Sequence, residues 1–267
     1  MGRYLGMVGI AAMLLSAACD KGSSAGSVEL APSASALAPS VAAPTSMAVK
    51  MKVDAKGHTE IDMPGPNEHI KADTSASMGS IDVDLMNIPA TRGEVKVDLQ
   101  SLNLKTFDDK EKNKSQTEHA QTWLEAAPKL KPEIVEPNRY AVFAIRSVDN
   151  ASVVDLTKAP LAPGKDGKQQ KVVTATVKGE FLVHQHKKDK SVDVEITFIY
   201  PAAAKPADKP ESMTIKTKSP LVVTLDEHDI KPRDNTGVIA KEAFKLLGTK
   251  VADTASVTFE FNAAPGM

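Results

Sequence analysis

Residues 80–104, SIDVDLMNIPATRGEVKVDLQSLNL, decide the fold. Ile81, Val83 and Leu85 alternate with Asp82 and Asp84, the period of a strand with one buried face. Pro89-Ala90-Thr91-Arg92-Gly93 reads as a turn. Beyond it Val95, Val97 and Leu99 point one way and Glu94, Lys96, Asp98 and Gln100 the other. Leu102 and Leu104 shift the apolar phase by one residue, which predicts a β-bulge near Ser101. The stretch is a long two-stranded antiparallel ribbon.

A helix follows the ribbon. After a charged run at 108–114, read as a loop, Ser115-Gln116-Thr117-Glu118 has the form of a capping box that starts a helix. Ala120, Trp123, Leu124 and Ala127 then fall at i, i+3, i+4 and i+7, and Pro128 ends the helix. Trp123 is the chain's only Trp. Its stripe predicts that the helix closes over the sheet.

Outward from this centre the strand period recurs. Val49, Met51 and Val53 alternate weakly, 63–67 reads as a turn, and 68–77 is a poor strand pattern beside the ribbon. Residues 129–138 read as an extended connection punctuated by prolines. Ala141, Phe143 and Ile145 mark a strand over 140–148. The strongest strand is 172–183, with Val173, Ala175, Val177, Phe181 and Val183 on one face and Gly179 as a bend. A polar turn at 184–190 leads to Val192, Val194, Ile196, Phe198 and Tyr200. Shorter strands follow at 213–218 and 221–225, a second helix is predicted over 236–247, and Val257, Phe259 and Phe261 form a last strand. Long loops are read at 150–170 and 201–210. Strands with one apolar face and no βαβ rhythm define an all-β protein with two short helices, its antiparallel sheet curling or closing into a barrel.

The chain has 267 residues, a formal net charge of −1 and 4% aromatic residues. A near-neutral balance leaves no basic face for nucleic acid, so none is expected as a partner. Residues 1–19 read as a bacterial lipoprotein signal: Arg3, a short apolar run over 4–15, then Ser16-Ala17-Ala18 before Cys19, the only cysteine and the acceptor of the lipid. An ordinary cleaved signal ending in an A-x-A-like site is the alternative. Residues 20–46, rich in Ser, Ala and Pro, are expected to be a disordered tether. Residues 47–267 are then one β-domain, held at a membrane through its N-terminal lipid and facing the periplasm, with the choice of inner or outer membrane open.

The order of elements resembles the YceI-like family of lipocalin-like extended barrels. The ribbon GSIDVDLMNIPATRGEVKVDLQSLNL, the helix KSQTEHAQTWLEA, the strand YAVFAIRSV, the hairpin VKGEFLVHQHKKDKSVDVEITF and the run TLDEHDI each resemble the corresponding family segment. Together they span about residues 48–263. His119 falls at the family's histidine position, whereas Trp123-Leu124 replaces a pair of phenylalanines, and Gln185-His186 stands where a His-Gly pair is usual. The resemblance implies a periplasmic or secreted protein that holds an isoprenoid, a quinone or another lipid tail in its barrel. The expected ligand-binding residues are Val97, Leu99, Leu104, Trp123, Phe143, Ile145, Val177, Phe181, Val194, Ile196 and Phe198, with His119 as a polar anchor or as a surface residue.

From the residues alone two readings of the interior stay open. Apolar inward faces suit a long hydrocarbon, since burying each CH₂ is worth about 0.8 kcal/mol. Small barrels also fill themselves with side chains, which would make this a structural or protein-interaction domain using the loops at 150–170 and 201–212. His184-x-His186 offers two imidazoles for zinc, but the strand phase carries both to the outer face of a lysine-rich turn, so they read as solvated. His228, among Asp226, Glu227 and Asp229, reads the same way. No G-x-S-x-G elbow joins a predicted strand to a helix, and the sequence has no Gly-rich phosphate loop and no H-E-x-x-H. Catalysis, a metal and a cofactor are therefore not expected, beyond a non-covalently bound isoprenoid or lipid as the hydrophobic small-molecule partner.

Overall fold

Alternation along the chain becomes a closed sheet. In the computed structural model, residues 47–65, 69–234, 237–238 and 252–266 are described. In chain order the elements are β1 (Ala48–Val53), β2 (His58–Pro64), β3 (His69–Thr74), β4 (Ser77–Asp84), β5 (Arg92–Asp98), β6 (Asn103–Leu104), α1 (Lys110–Trp123) and α2 (Pro132–Val135). Then come β7 (Tyr140–Asp149), β8 (Ala162–Pro163), β9 (Gln169–Val183), β10 (His186–Tyr200), β11 (Ser212–Thr217), β12 (Leu221–Thr224), β13 (Arg233–Asp234), β14 (Gly237–Val238) and β15 (Thr254–Pro265).

Every pairing in the main sheet is antiparallel. The order β1-β4-β5-β7-β9-β10-β11-β15 is closed by β15 returning to β1, with Met51 opposite Pro265 and Val53 opposite Ala263. Eight strands thus form a ring without free edges. The first half of β15 pairs instead with β2, which carries β3 and β6 beyond the ring. Three strand paths are therefore interrupted: β1/β2 at 54–57, β3/β4 at 75–76 and β5/β6 at 99–102. The breaks lie side by side. Ser77 Oγ donates to Asp54 O at 2.6 Å and accepts from Gly57 N at 3.0 Å, and Asp98 N donates to Ala76 O at 3.0 Å. They form a waist on one side of the barrel.

Where β4 and β5 cross, Gly79 and Gly93 have φ of +143° and +155°. A Cβ on Gly93 would meet Ser80 O at 2.4 Å, so only bare backbone permits the approach. Gly93, expected in the turn, is a strand residue, and the turn itself is a short 3₁₀ segment, Ile88–Ala90.

Several local expectations are corrected. The phase shift at Ser101 comes from a 3₁₀ turn, Leu99–Ser101, capped by the Asp98 carboxylate, which accepts from Gln100 N at 3.0 Å, and not from a bulge. Helix α1 starts before the Ser115 box. Asp109 is its N-cap, accepting from Glu111 N at 2.9 Å and Lys112 N at 3.2 Å. From Lys110 onward the charged run is helical because Lys and Glu are good helix formers and the Asp109 cap precedes them. The connection at 129–138 contains α2 and a 3₁₀ turn. The polar turn is only His184-Gln185, and residues 186–190 belong to β10. The helix expected over 236–247 lies outside the described residues, except Gly237–Val238, which form β14.

The barrel end near the start of β5 is sealed by the loop after β7. Ile88 N donates to Val154 O at 2.9 Å and Leu156 N to Leu85 O at 2.8 Å, and Leu156 is 1% exposed. This loop is built into the core. At the other end, α1 lies against β6, with Thr117 Oγ1 accepting from Leu104 N at 2.9 Å.

Candidate functional site

The strand faces that pack the ring do not fill it. Inside lies a cavity of about 450 Å³. An apolar cavity of about 150 Å³ takes up benzene, and sites for larger ligands occupy about 300–1,000 Å³. The barrel therefore has room for a substantial molecule, and the fully side-chain-filled interior is not what the structure shows.

The cavity wall gathers residues far apart in sequence. Val97 and Leu99 come from the β5 path and Leu104 from β6. Phe143 and Ile145 lie on β7, Val177 and Phe181 on β9, and Val194, Ile196 and Phe198 on β10. Helix α1 adds Gln116, His119, Ala120 and Trp123, with Leu124 at its end. All twelve residues singled out from the sequence line this one space. His119 borders it while remaining exposed, which marks where the cavity meets solvent. The wall also includes side chains that the sequence did not single out, among them Leu102, Met213, Val257, Thr59 and Thr74. Phe259 and Phe261 stack at 4.9 Å along it. Gly179 is bare because a Cβ there would lie 2.6 Å from Phe143 Cε1 and 2.3 Å from Ala144 O.

Among the described residues that line the cavity there is no Lys, Arg, Asp or Glu. The polar members are Thr59, Thr74, Thr91, Gln116 and His119. The hydroxyls of Thr59, Thr74 and Thr91 are buried, at 5%, 2% and 6% residue exposure, and have no hydrogen-bond partner. Leaving such a group unsatisfied costs roughly 1–3 kcal/mol.

A second cluster stands where the β9–β10 turn meets the end of α1. His184 and Gln185 occupy the two central turn positions with φ of +49° and +62°, the conformation of a type I′ turn. The turn swings His184 inward to 4% exposure, so the expected solvated position is corrected, whereas His186 is exposed. His184 Nδ1 donates to His228 O at 3.0 Å, and Nε2 lies 3.1 Å from Glu125 Oε2. His228 is also corrected: it is fully buried, its Nδ1 donates to His186 O at 3.0 Å, and Phe181 meets its ring edge-on at 5.4 Å. Burial pushes the His228 pKa down, with the nearby Lys190 adding to this and the His186 carbonyl and Glu227 opposing it. Ligand atoms of His184, His186 and Asp229 lie within 4.8 Å of one another. Both nitrogens of His184 are already engaged, so a metal there would have to displace Glu125 or the His228 carbonyl.

Cys19, the signal and the tether lie outside the described residues.

Fold and cavity together define a class, a closed antiparallel β-barrel enclosing an apolar chamber. Two solved structures are similar to this chain. One is a polyisoprenoid-binding domain from Saccharophagus degradans implicated in plant cell wall breakdown, at 13% identity and TM-score 0.49, covering 82% of this chain and 99% of that one. The other is BcnA of Burkholderia cenocepacia, at 14% identity and TM-score 0.47, covering 79% and 99%. No family model and no curated protein sequence matches the chain.

Proposed function

We propose that this is a binding protein that holds an apolar, chain-like molecule, such as an isoprenoid, a quinone or another lipid, inside its barrel. It does so at the periplasmic face of the cell envelope, tethered through a lipid on Cys19. One observation carries the binding role: the cavity of about 450 Å³ with an almost wholly apolar wall. Each CH₂ moved there from water contributes about 0.8 kcal/mol, so a chain of many methylenes is held without any ionic contact. Among the described residues of the wall the one acid–base side chain is His119, exposed at the cavity's edge. Support for the anchor is the Ser16-Ala17-Ala18-Cys19 sequence after an apolar run, followed by a Ser/Ala/Pro tether.

The test is mass spectrometry of an organic extract of the full-length protein, purified from its native membranes and from a heterologous bacterial host. A recurring hydrophobic molecule near one per chain, absent from a control protein, is the expected result. Clean extracts from both sources would overturn the proposal. Cys19→Ser is expected to move the protein from the membrane to the soluble fraction, and retention at the membrane after signal cleavage would overturn the anchor.

A further inference from the structure

Thr59 on β2 and Thr74 on β3 are directly opposite one another in the antiparallel register. Both line the cavity, both are more than nine-tenths buried, and neither hydroxyl has a hydrogen-bond partner, not even the other. They stand beside the waist, where Gly57 and Ser77 join the interrupted strands. Phe259 is the register partner of Thr59 on the other side and also faces the cavity. The rest of the wall here is hydrocarbon: Ile61 and Ala72 follow on the same faces of the two strands. Valine has nearly the same shape as threonine and would leave no polar atom unsatisfied. Two threonines in register therefore place hydrogen-bonding capacity where packing alone does not call for it.

We propose that this threonine pair is a recognition subsite for an uncharged hydrogen-bonding group, a hydroxyl, ether or carbonyl, carried by the apolar ligand. The inference rests on the reading of the cavity as a ligand chamber and narrows the ligand's chemistry. A hydroxyl can both donate and accept, so the pair can serve a carbonyl, an ether or an alcohol. A carboxylate or phosphate buried at the same point would need a cation or several donors to replace its water, and the described wall offers no Lys or Arg. Charged amphiphiles are thereby disfavoured at the waist, and neutral polar lipids favoured over plain hydrocarbons.

The experiment uses the full chain and a matched set of probes: hexadecane, hexadecanol and palmitate. Trp123, the only Trp, lines the cavity and reports binding through its fluorescence. The wild type is expected to bind hexadecanol about tenfold more tightly than hexadecane, the worth of one well-made hydrogen bond, and palmitate more weakly than hexadecanol. The Thr59→Val, Thr74→Val double variant is expected to lose the preference for the alcohol and to keep its affinity for hexadecane. Thr91→Val removes the third unpartnered hydroxyl of the wall and tests whether the group is held there instead. Thermal unfolding checks that each variant is folded.

Equal binding of hexadecane and hexadecanol by the wild type would overturn the subsite while leaving the chamber standing. So would a preference that survives the double variant, as it would if the threonines serve only an ordered water. Loss of the preference in Thr91→Val would move the group to Thr91, and tighter binding of palmitate would overturn the uncharged character. Failure of all three probes to bind would overturn the chamber itself.

Discussion

His184 Nε2 lies 3.1 Å from Glu125 Oε2, and this contact ties the β9–β10 turn to the end of α1. Glu125 has a φ of +54° and stands where helices usually place glycine. Ala126 N donates back to Gln121 O at 2.9 Å and Glu125 N to Thr122 O at 3.1 Å, the two bonds of a Schellman ending. Asn138 Nδ2 also donates to Glu125 Oε2, at 3.2 Å, and Gln185 Nε2 to Asn138 Oδ1, at 3.3 Å. A non-glycine residue held left-handed costs about 1–2 kcal/mol, and the side chain that incurs this cost is the one that meets His184.

Two substitutions separate backbone from side chain. Glu125→Ala keeps the left-handed cost and removes the carboxylate from a buried imidazole and from Asn138, a loss of roughly 1–3 kcal/mol. Glu125→Gly removes the carboxylate but relieves the backbone, so it is expected to be about 1 kcal/mol more stable than the alanine variant. Urea unfolding should rank wild type, then Glu125→Gly, then Glu125→Ala. An alanine variant as stable as wild type would show that the contact contributes nothing.

The same cluster shows how far the sequence could be read. Period-two alternation located the ring strands and placed ten of the twelve side chains on the inner face, because a strand's two faces are decided by neighbours in sequence, while Trp123 came from the helical stripe and His119 from the family resemblance. The ends of α1 were hidden for opposite reasons. Asp109 lies inside a charged run that resembles a loop, and Glu125 takes a position where the usual signal is Gly. His184 and Gln185 form a tight turn without the Asn-Gly signature, so the strand phase was carried too far and His184 was turned outward. The Thr59–Thr74 pair depends on the register between β2 and β3, which no local pattern states.

Burial of His228 makes a prediction about pH. Its folded-state pKa is lowered from the ordinary 6.5. As pH falls below about 6.5 the unfolded chain takes up a proton on this ring and the folded chain does not, so the unfolded state gains and stability drops. The loss continues until the depressed folded pKa is reached, with a slope of at most about 1.4 kcal/mol per pH unit. Lys190 pushes the same way as burial, while Glu227 and the His186 carbonyl moderate it. His228→Asn, which retains a donor toward His186 O, is expected to flatten the decline between pH 7 and pH 5 relative to wild type. Parallel curves for the two proteins would sink the assignment.

Val177 faces the cavity from the middle of β9. Adding bulk to a filled core costs about 1–3 kcal/mol, but the open space beside Val177 can absorb an indole. Val177→Trp is therefore expected to melt close to the ligand-free wild type while its organic extract loses the hydrophobic molecule. Co-purification at the wild-type ratio would mean that the molecule sits elsewhere.

At the sealed end, Lys171 is 3% exposed, and its ammonium donates to Leu156 O and Pro206 O, both at 2.6 Å, with the Tyr200 ring centroid 5.2 Å away. It fastens the loop after β7 to the loop after β10, joining two connections that the sequence reads only as long loops. Burial pushes the Lys171 pKa down, partly offset by Asp155. Lys171→Met keeps the stem but removes a charged donor from two carbonyls, and a loss of roughly 2–4 kcal/mol is expected. Limited proteolysis within 150–163 and 201–210 should accelerate. Lys171 and Leu156 are not part of the cavity wall, so affinity for an apolar probe should change far less than stability. Equal losses of binding and stability would show that the sealed end and the chamber are one cooperative unit, while unchanged proteolysis would show that the ammonium does not hold the loops.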